Sequence, residues 1–220
     1  MFLHQHPYPP FFPENATKLI VGTIPPPRFS LGQLFDEDVD FCYGSKHGLL
    51  WPILNTIFDL KLEFQNTQQA INQRKVFLTQ HKIGICDIIE SCERTKINAS
   101  DLGMENIILR DLFTYLEENK SIERFLFLGG NSKNGPEYLF RKLLNSHKIV
   151  LKKVPSRFER IHQFKFKDRI ITTNTLISPS KAANRTIGAN LEYKIIKQEN
   201  PNFTTFDFRV LKYRPAFKIN

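Results

Sequence analysis

Lys18-Leu19-Ile20-Val21-Gly22-Thr23-Ile24-Pro25-Pro26-Pro27 reads as a short buried strand that stops at a glycine and runs into a rigid loop. A continuous apolar run without period-two alternation suits a strand covered on both faces. The prolines cannot continue a ladder, because each lacks a backbone N–H and fixes φ. Such a strand needs helices above and below it, so the flanking sequence is expected to alternate strand with helix.

The alternation is present. Leu49 to Leu60 sets Leu50, Ile53, Leu54, Ile57 and Phe58 at helical spacing, and Thr67 to Thr79 reads as a second helix. Ile83-Gly84-Ile85-Cys86-Asp87-Ile88-Ile89 is a second strand, Ser91 to Ser100 is polar and loop-like, and Met104 to Glu118 is amphipathic with predicted helix. Glu123 to Gly130 is a third strand with a glycine exit, and Pro136 to Asn145 is a helix opened by proline. Lys148 to Val154 is a fourth short strand, and Arg169 to Leu176 leads to the loop Ile177-Ser178-Pro179-Ser180. This order predicts a mostly parallel sheet with helices on both faces. Ligands of such sheets bind outside the carboxyl ends of the strands. Gly22–Gly48, Asp87–Asp101, Gly129–Asn134 and Ser178–Asn184 are therefore the segments expected to carry function.

The chain has 220 residues, long enough for one substantial core, and no internal repeat or linker divides it. Residues 1–17 read as an extended proline-rich arm, packed by Phe11 and Phe12, and residues 18–220 as one domain. The net charge is +9, concentrated in Leu151–Asn220 with 15 Lys/Arg against 5 Asp/Glu. A basic region suits a polyanion through counterion release, and a solvated surface would show the same charge. Cys42, Cys86 and Cys92 match neither a disulfide framework nor a zinc pattern, so reduced thiols in the cytoplasm are expected. His4 and His6, among prolines and aromatics, fit a flexible arm better than a metal site. No apolar stretch is long enough to span a membrane, and the first residues lack signal-peptide character.

Four groups of residues carry possible chemistry. Gly22-Thr23-Ile24-Pro25 suits backbone approach to a ligand, or simply a tight turn. Tyr43-Gly44-Ser45-Lys46-His47-Gly48, with Trp51-Pro52 behind it, gathers aromatics, glycines, a cation and a histidine that suit base stacking and phosphate contact. The same aromatics would also serve a core. Asp87 interrupts an apolar strand, so its carboxylate must be hydrogen-bonded, paired or set at the strand end. Ser178-Pro179-Ser180-Lys181-Ala182-Ala183-Asn184-Arg185 suits a phosphate-binding loop and equally an ordinary helix start.

Leu19 to Pro25, Tyr43-Gly44 with Trp51-Pro52, Ile83 to Ile89 with Ser91-Cys92-Glu93-Arg94, and Leu176 to Asn184 together resemble the uracil-DNA glycosylase superfamily, most of all its hypoxanthine-DNA glycosylase-like branch. The resemblance covers roughly residues 18 to 190. It implies a three-layer α/β/α sandwich around a four-stranded, mostly parallel sheet. It also implies metal-free and cofactor-free hydrolysis of the N-glycosidic bond of a deaminated base, flipped out of damaged or single-stranded DNA. The protein would act as a monomer without membrane contact. Gly22, Thr23, Pro25, Tyr43, Gly44 and Gly48 would line the base pocket, while Lys46, Ser178, Ser180, Lys181, Asn184 and Arg185 would meet the DNA.

The branch's catalytic amide falls on Gly48, and Thr23-Ile24-Pro25 supplies no Asn or Asp in the first loop. His47 and Asp87 are the candidates to replace that amide as water-orienting groups. A base-binding module that has lost hydrolysis is the alternative expectation.

Overall fold

The computed structural model describes residues 1–97, 101–156 and 160–217, with Asp101 described by its backbone alone. In chain order the elements are β1 (Phe2–Gln5), β2 (Lys18–Gly22), α1 (Pro27–Ser30), α2 (Leu50–Phe58), α3 (Gln68–Gln80), β3 (Ile83–Asp87), β4 (Ile89–Arg94) and β5 (Met104–Leu109). There follow α4 (Leu112–Glu118), β6 (Arg124–Phe127), α5 (Pro136–Ser146), β7 (Lys152–Val154), β8 (Arg160–Phe166), β9 (Arg169–Thr175), α6 (Asn184–Ala189), α7 (Leu191–Glu199) and α8 (Thr205–Phe217).

The main sheet runs β3-β2-β6-β9-β8-β7. Its first four strands are parallel, and β8 and β7 extend it antiparallel. Leu19, Val21, Phe125 and Phe127 point to one side, where they pack with Leu112, Phe113 and Leu116 of α4 and Leu139, Phe140 and Leu144 of α5. Ile20, Ile83, Ile85 and Leu126 point to the other, against Trp51 and Leu54 of α2, Phe77 of α3 and Tyr213 of α8. Strand alternation thus feeds two apolar layers, and the three-layer α/β/α class holds.

Three expectations about elements need correction. The sheet has six strands, and the fourth parallel strand is Arg169–Thr175, whereas Lys152–Val154 is an antiparallel edge. Met104–Leu109 is a strand paired to β4, not the start of a helix. Asp111 sets that boundary, because its carboxylate accepts the N–H groups of Phe113 and Thr114 and so begins α4 there. Ser91 to Arg94 belongs to a strand, while Asn98–Ser100 of the expected loop lies outside the described residues.

The N-terminal segment explains that strand. β1 pairs antiparallel with β4 and forms a three-stranded sheet β1-β4-β5, and Phe11 bridges Ile85 further on. His4 and His6 are buried rather than on a flexible arm. Arg94 Nε donates to His4 Nδ1 at 2.8 Å, so the polar look of β4 comes from residues paired with the distant N-terminus.

Candidate functional site at the strand carboxyl ends

Gly22 and Asp87 are register partners at the ends of β2 and β3. Tyr43 stands over both from the loop after α1, in a left-handed conformation with φ of 58°. A Cβ on Gly22 would lie 1.5 Å from the Tyr43 hydroxyl oxygen and 2.6 Å from Asp87 Oδ1, so only glycine admits this approach. The Tyr43 hydroxyl donates to Asp87 Oδ1 at 2.9 Å. Burial first, then the Asp87 charge and this hydrogen bond, hold the Tyr43 pKa well above the usual phenol range, which keeps it a donor.

His6 completes the cluster from the N-terminal segment. The Tyr8 N–H donates to His6 Nδ1 at 3.1 Å, which leaves the ring proton on Nε2, 3.1 Å from Asp87 Oδ2. Each Asp87 oxygen therefore has a donor, and the carboxylate is buried. A groove of about 260 Å³ runs alongside, lined by His4, His6, Pro7, Pro27 and Ser30 among others.

The loop carrying Tyr43 is built around Asp38, which is fully buried. Arg28 holds it through Nε–Oδ2 at 2.9 Å and Nη2–Oδ1 at 2.8 Å, and the N–H groups of Phe35 and Lys46 add bonds at 3.0 and 2.8 Å. Gly44 is obligatory here, because a Cβ would stand 1.8 Å from the Val39 carbonyl oxygen. Trp51 is core: it is buried, and its Nε1 donates to the Cys42 carbonyl at 2.8 Å. The Cys42 and Cys86 thiols are pushed up by burial, so they remain thiols.

Lys46 and His47 lie exposed on the rim, with the Lys46 ammonium 3.2 Å from Glu37 and over the Phe35 ring. The His47 ring makes no hydrogen bond to Tyr43 or Asp87 among the described residues. The Leu49 N–H donates to the Pro179 carbonyl at 2.9 Å and joins this loop to the last one. There, Ser178 and Ser180 are bonded hydroxyl to hydroxyl at 3.1 Å, while Lys181, Asn184 and Arg185 are exposed. Arg209, buried in α8, fixes the loop by donating to the carbonyls of Ser178 at 3.1 Å and Ser180 at 2.7 Å. Thr23 and Pro25 follow Gly22, and the Gly22 and Thr23 carbonyls accept the N–H groups of Ile88 and Ile89.

No protein-family model matches the sequence, and no curated protein does. The solution NMR structure of a Methanosarcina acetivorans protein, described as a candidate uracil DNA glycosylase, superposes with a TM-score of 0.53. It is 15% identical and covers 94% of this chain and 98% of its own. The chain has a uracil-DNA glycosylase-like fold.

Within this glycosylase-like fold, the expected positions Gly22, Tyr43 and Asp87 come together, Gly44 and Gly48 shape the loop that carries Tyr43, and Ser178 to Ala183 form a neighbouring loop that leads into α6, where Asn184 and Arg185 stand in the first turn. Sequence reasoning missed His6, the Arg28–Asp38 pair and Arg209. His6 and Asp87 are 81 positions apart, a contact that no local pattern signals. Among the described residues, no group of three or more His, Cys, Asp and Glu is arranged to hold a metal ion.

Proposed function

We propose that this chain is a monomeric DNA glycosylase of the cytoplasm that holds a flipped deaminated base, uracil or hypoxanthine, at the Gly22–Tyr43–Asp87 cluster and hydrolyses its N-glycosidic bond. The observation that carries the reading is the Asp87 carboxylate, fixed by two donors where a strand of this fold type meets its ligand. The C1′–N bond breaks first, and its electron pair leaves with the base. Asp87 opposes the positive charge that develops on the sugar. Water then adds its oxygen to C1′ and gives its proton to the carboxylate, which returns it to solvent. Thr23, Pro25 and Gly48 border the base with Tyr43 and Gly44. His47 sits on the rim as a second base, acting through water. Lys46, Lys181 and Arg185 meet phosphates, with Ser178, Ser180 and Asn184 as polar contacts. No cofactor takes part.

A second reading, base recognition without hydrolysis, is favoured by one observation: His6 and Tyr43 already take both Asp87 oxygens, and Gly48 offers no amide. Alkaline scission of oligonucleotides carrying uracil or hypoxanthine separates the two. The glycosylase reading expects scission that Asp87→Asn slows by about two to three orders of magnitude. Binding of both oligonucleotides without scission installs the second reading, and absence of any nucleic-acid binding removes both.

A further inference from the structure

A groove of about 450 Å³ lies at the opposite end of the parallel strands, lined by Lys18, Lys120, Glu123, Arg124, Arg169 and Thr172 among others. Lys18 and Arg124 are directly opposed on β2 and β6, so both point to the same sheet face. Like charges placed this way destabilise a sheet. Neither side chain is in an ion pair among the described residues. Lys18 Nζ donates to the Phe217 carbonyl at 3.2 Å, and Arg124 Nη1 reaches Asn174 Oδ1 at 3.4 Å, which leaves most of the guanidinium fork uncommitted. Burial, and then the Arg124 charge, lowers the Lys18 pKa. Arg169 is different, since it is spent on the carbonyls of Leu116, Lys120 and Ile122 and serves as wall.

The same sheet face continues outward through residues that reach solvent. Arg124 pairs with Thr172, Thr172 with Gln163, and Gln163 with Lys152, so all four project together. Lys165, opposite Ile170, shares that face, and Lys152, Lys165 and Ile170 are all exposed. α2, α3 and α8 pack on this face at Ile20 and Leu126, two residues further along β2 and β6 than Lys18 and Arg124, which line the groove instead. From β2 to β7 the row is Lys18, Arg124, Thr172, Gln163 and Lys152, three cations with a hydroxyl and an amide between them, across four strand spacings, about 19 Å.

We propose that this open face is a second nucleic-acid contact, on which a single strand lays its phosphodiester backbone with one phosphate seated between Lys18 and Arg124. The length of the row favours a chain of phosphates over a single anion, and the +10 balance of Leu151–Asn220 supplies the complementary field. The surface is independent of any reaction at Asp87.

Fluorescence anisotropy of an undamaged single-stranded oligonucleotide tests the proposal, with pyrophosphate as a second probe and thermal melting as a check on folding. Arg124→Gln with Lys165→Gln is expected to weaken strand binding by about tenfold and to lower the salt slope by about 1.4, as loss of two phosphate contacts to a single strand requires. Lys181→Gln with Arg185→Gln, at the other end of the strands, is expected to act additively with it. Wild-type affinity in the Arg124→Gln, Lys165→Gln variant overturns the proposal. So does an effect confined to pyrophosphate, which would mark a small-anion groove. Loss of strand binding only in the Lys181→Gln, Arg185→Gln variant also overturns it, while leaving the DNA reading of the carboxyl-end site intact.

Discussion

The Tyr43 hydroxyl donates to Asp87 Oδ1 at 2.9 Å from the space that a side chain on Gly22 would fill. The loop, the strand end and the glycine are therefore one unit. Gly22→Ala must displace Tyr43 and leave a buried carboxylate short of a donor, a loss of about 1–3 kcal/mol. Tyr43→Phe removes the same donor without the clash. In urea denaturation the double variant is expected to cost less than the sum of the two singles, because each destroys the same bond. Strict additivity would contradict the coupling.

Asp38 governs the acid stability of the Tyr43 loop. Burial alone would raise its pKa, yet the Arg28 fork and the N–H groups of Lys46 and Phe35 hold it below the ordinary carboxylate value. A folded pKa depressed in this way contributes stability that is complete above the unfolded value near 3.9 and is lost as pH falls through the folded one. Asp38→Asn is expected to cost on the order of 3 kcal/mol near neutrality, since Arg28 then loses its buried partner. It should also flatten the fall in urea midpoint below about pH 4. A variant with an unchanged acid limb would show that another carboxylate governs it.

His4 gives a second, separate pH window. Burial, then the charge of Arg94 and the neighbouring His6, pushes its pKa down to about 4. The folded state keeps the ring neutral, whereas the unfolded chain takes up a proton below its ordinary value of about 6.5. Stability from this source is complete above about pH 6.5 and is lost as pH falls toward 4. His4→Gln is expected to remove that slope from urea midpoints measured between these values. Persistence of the full slope would place the proton uptake elsewhere.

The legible part of the fold was local. Lys18–Gly22 and Ile83–Asp87 announce themselves as apolar runs ending at glycine or aspartate, Arg124–Phe127 as an apolar run with Gly129 just beyond it, and Leu50–Phe58 by its spacing. What stayed hidden was set by distant pairing. Met104–Leu109 has enough apolar residues to pass for a helix until β4 is available to pair with it, and Arg94 reads as loop until His4 arrives. The site divides the same way. Gly22 and Asp87 follow from residue type at strand ends and Tyr43 from the loop that leaves the first of them, but His6 enters only through folding of the N-terminal segment across β4.

Gly48 offers the sharpest discrimination about chemistry. A Cβ built there lies 3.1 Å from the Ser45 carbonyl oxygen and 3.4 Å from that of Tyr43, so a side chain fits once the loop gives by a few tenths of an ångström. Gly48→Asn would thus fold at a cost of about 1 kcal/mol and return an amide to the position where the resembling branch carries one. If Asp87 already orients the water, single-turnover excision should change little in Gly48→Asn and fall by about two to three orders of magnitude in Asp87→Asn. A hundredfold rise in Gly48→Asn would instead mean that the wild-type chain lacks its water-orienting group. The Gly48→Asn, Asp87→Asn double variant decides how the two positions relate. Recovery of excision there would make the amide a substitute for the carboxylate, and continued silence would make Asp87 indispensable whatever stands at position 48.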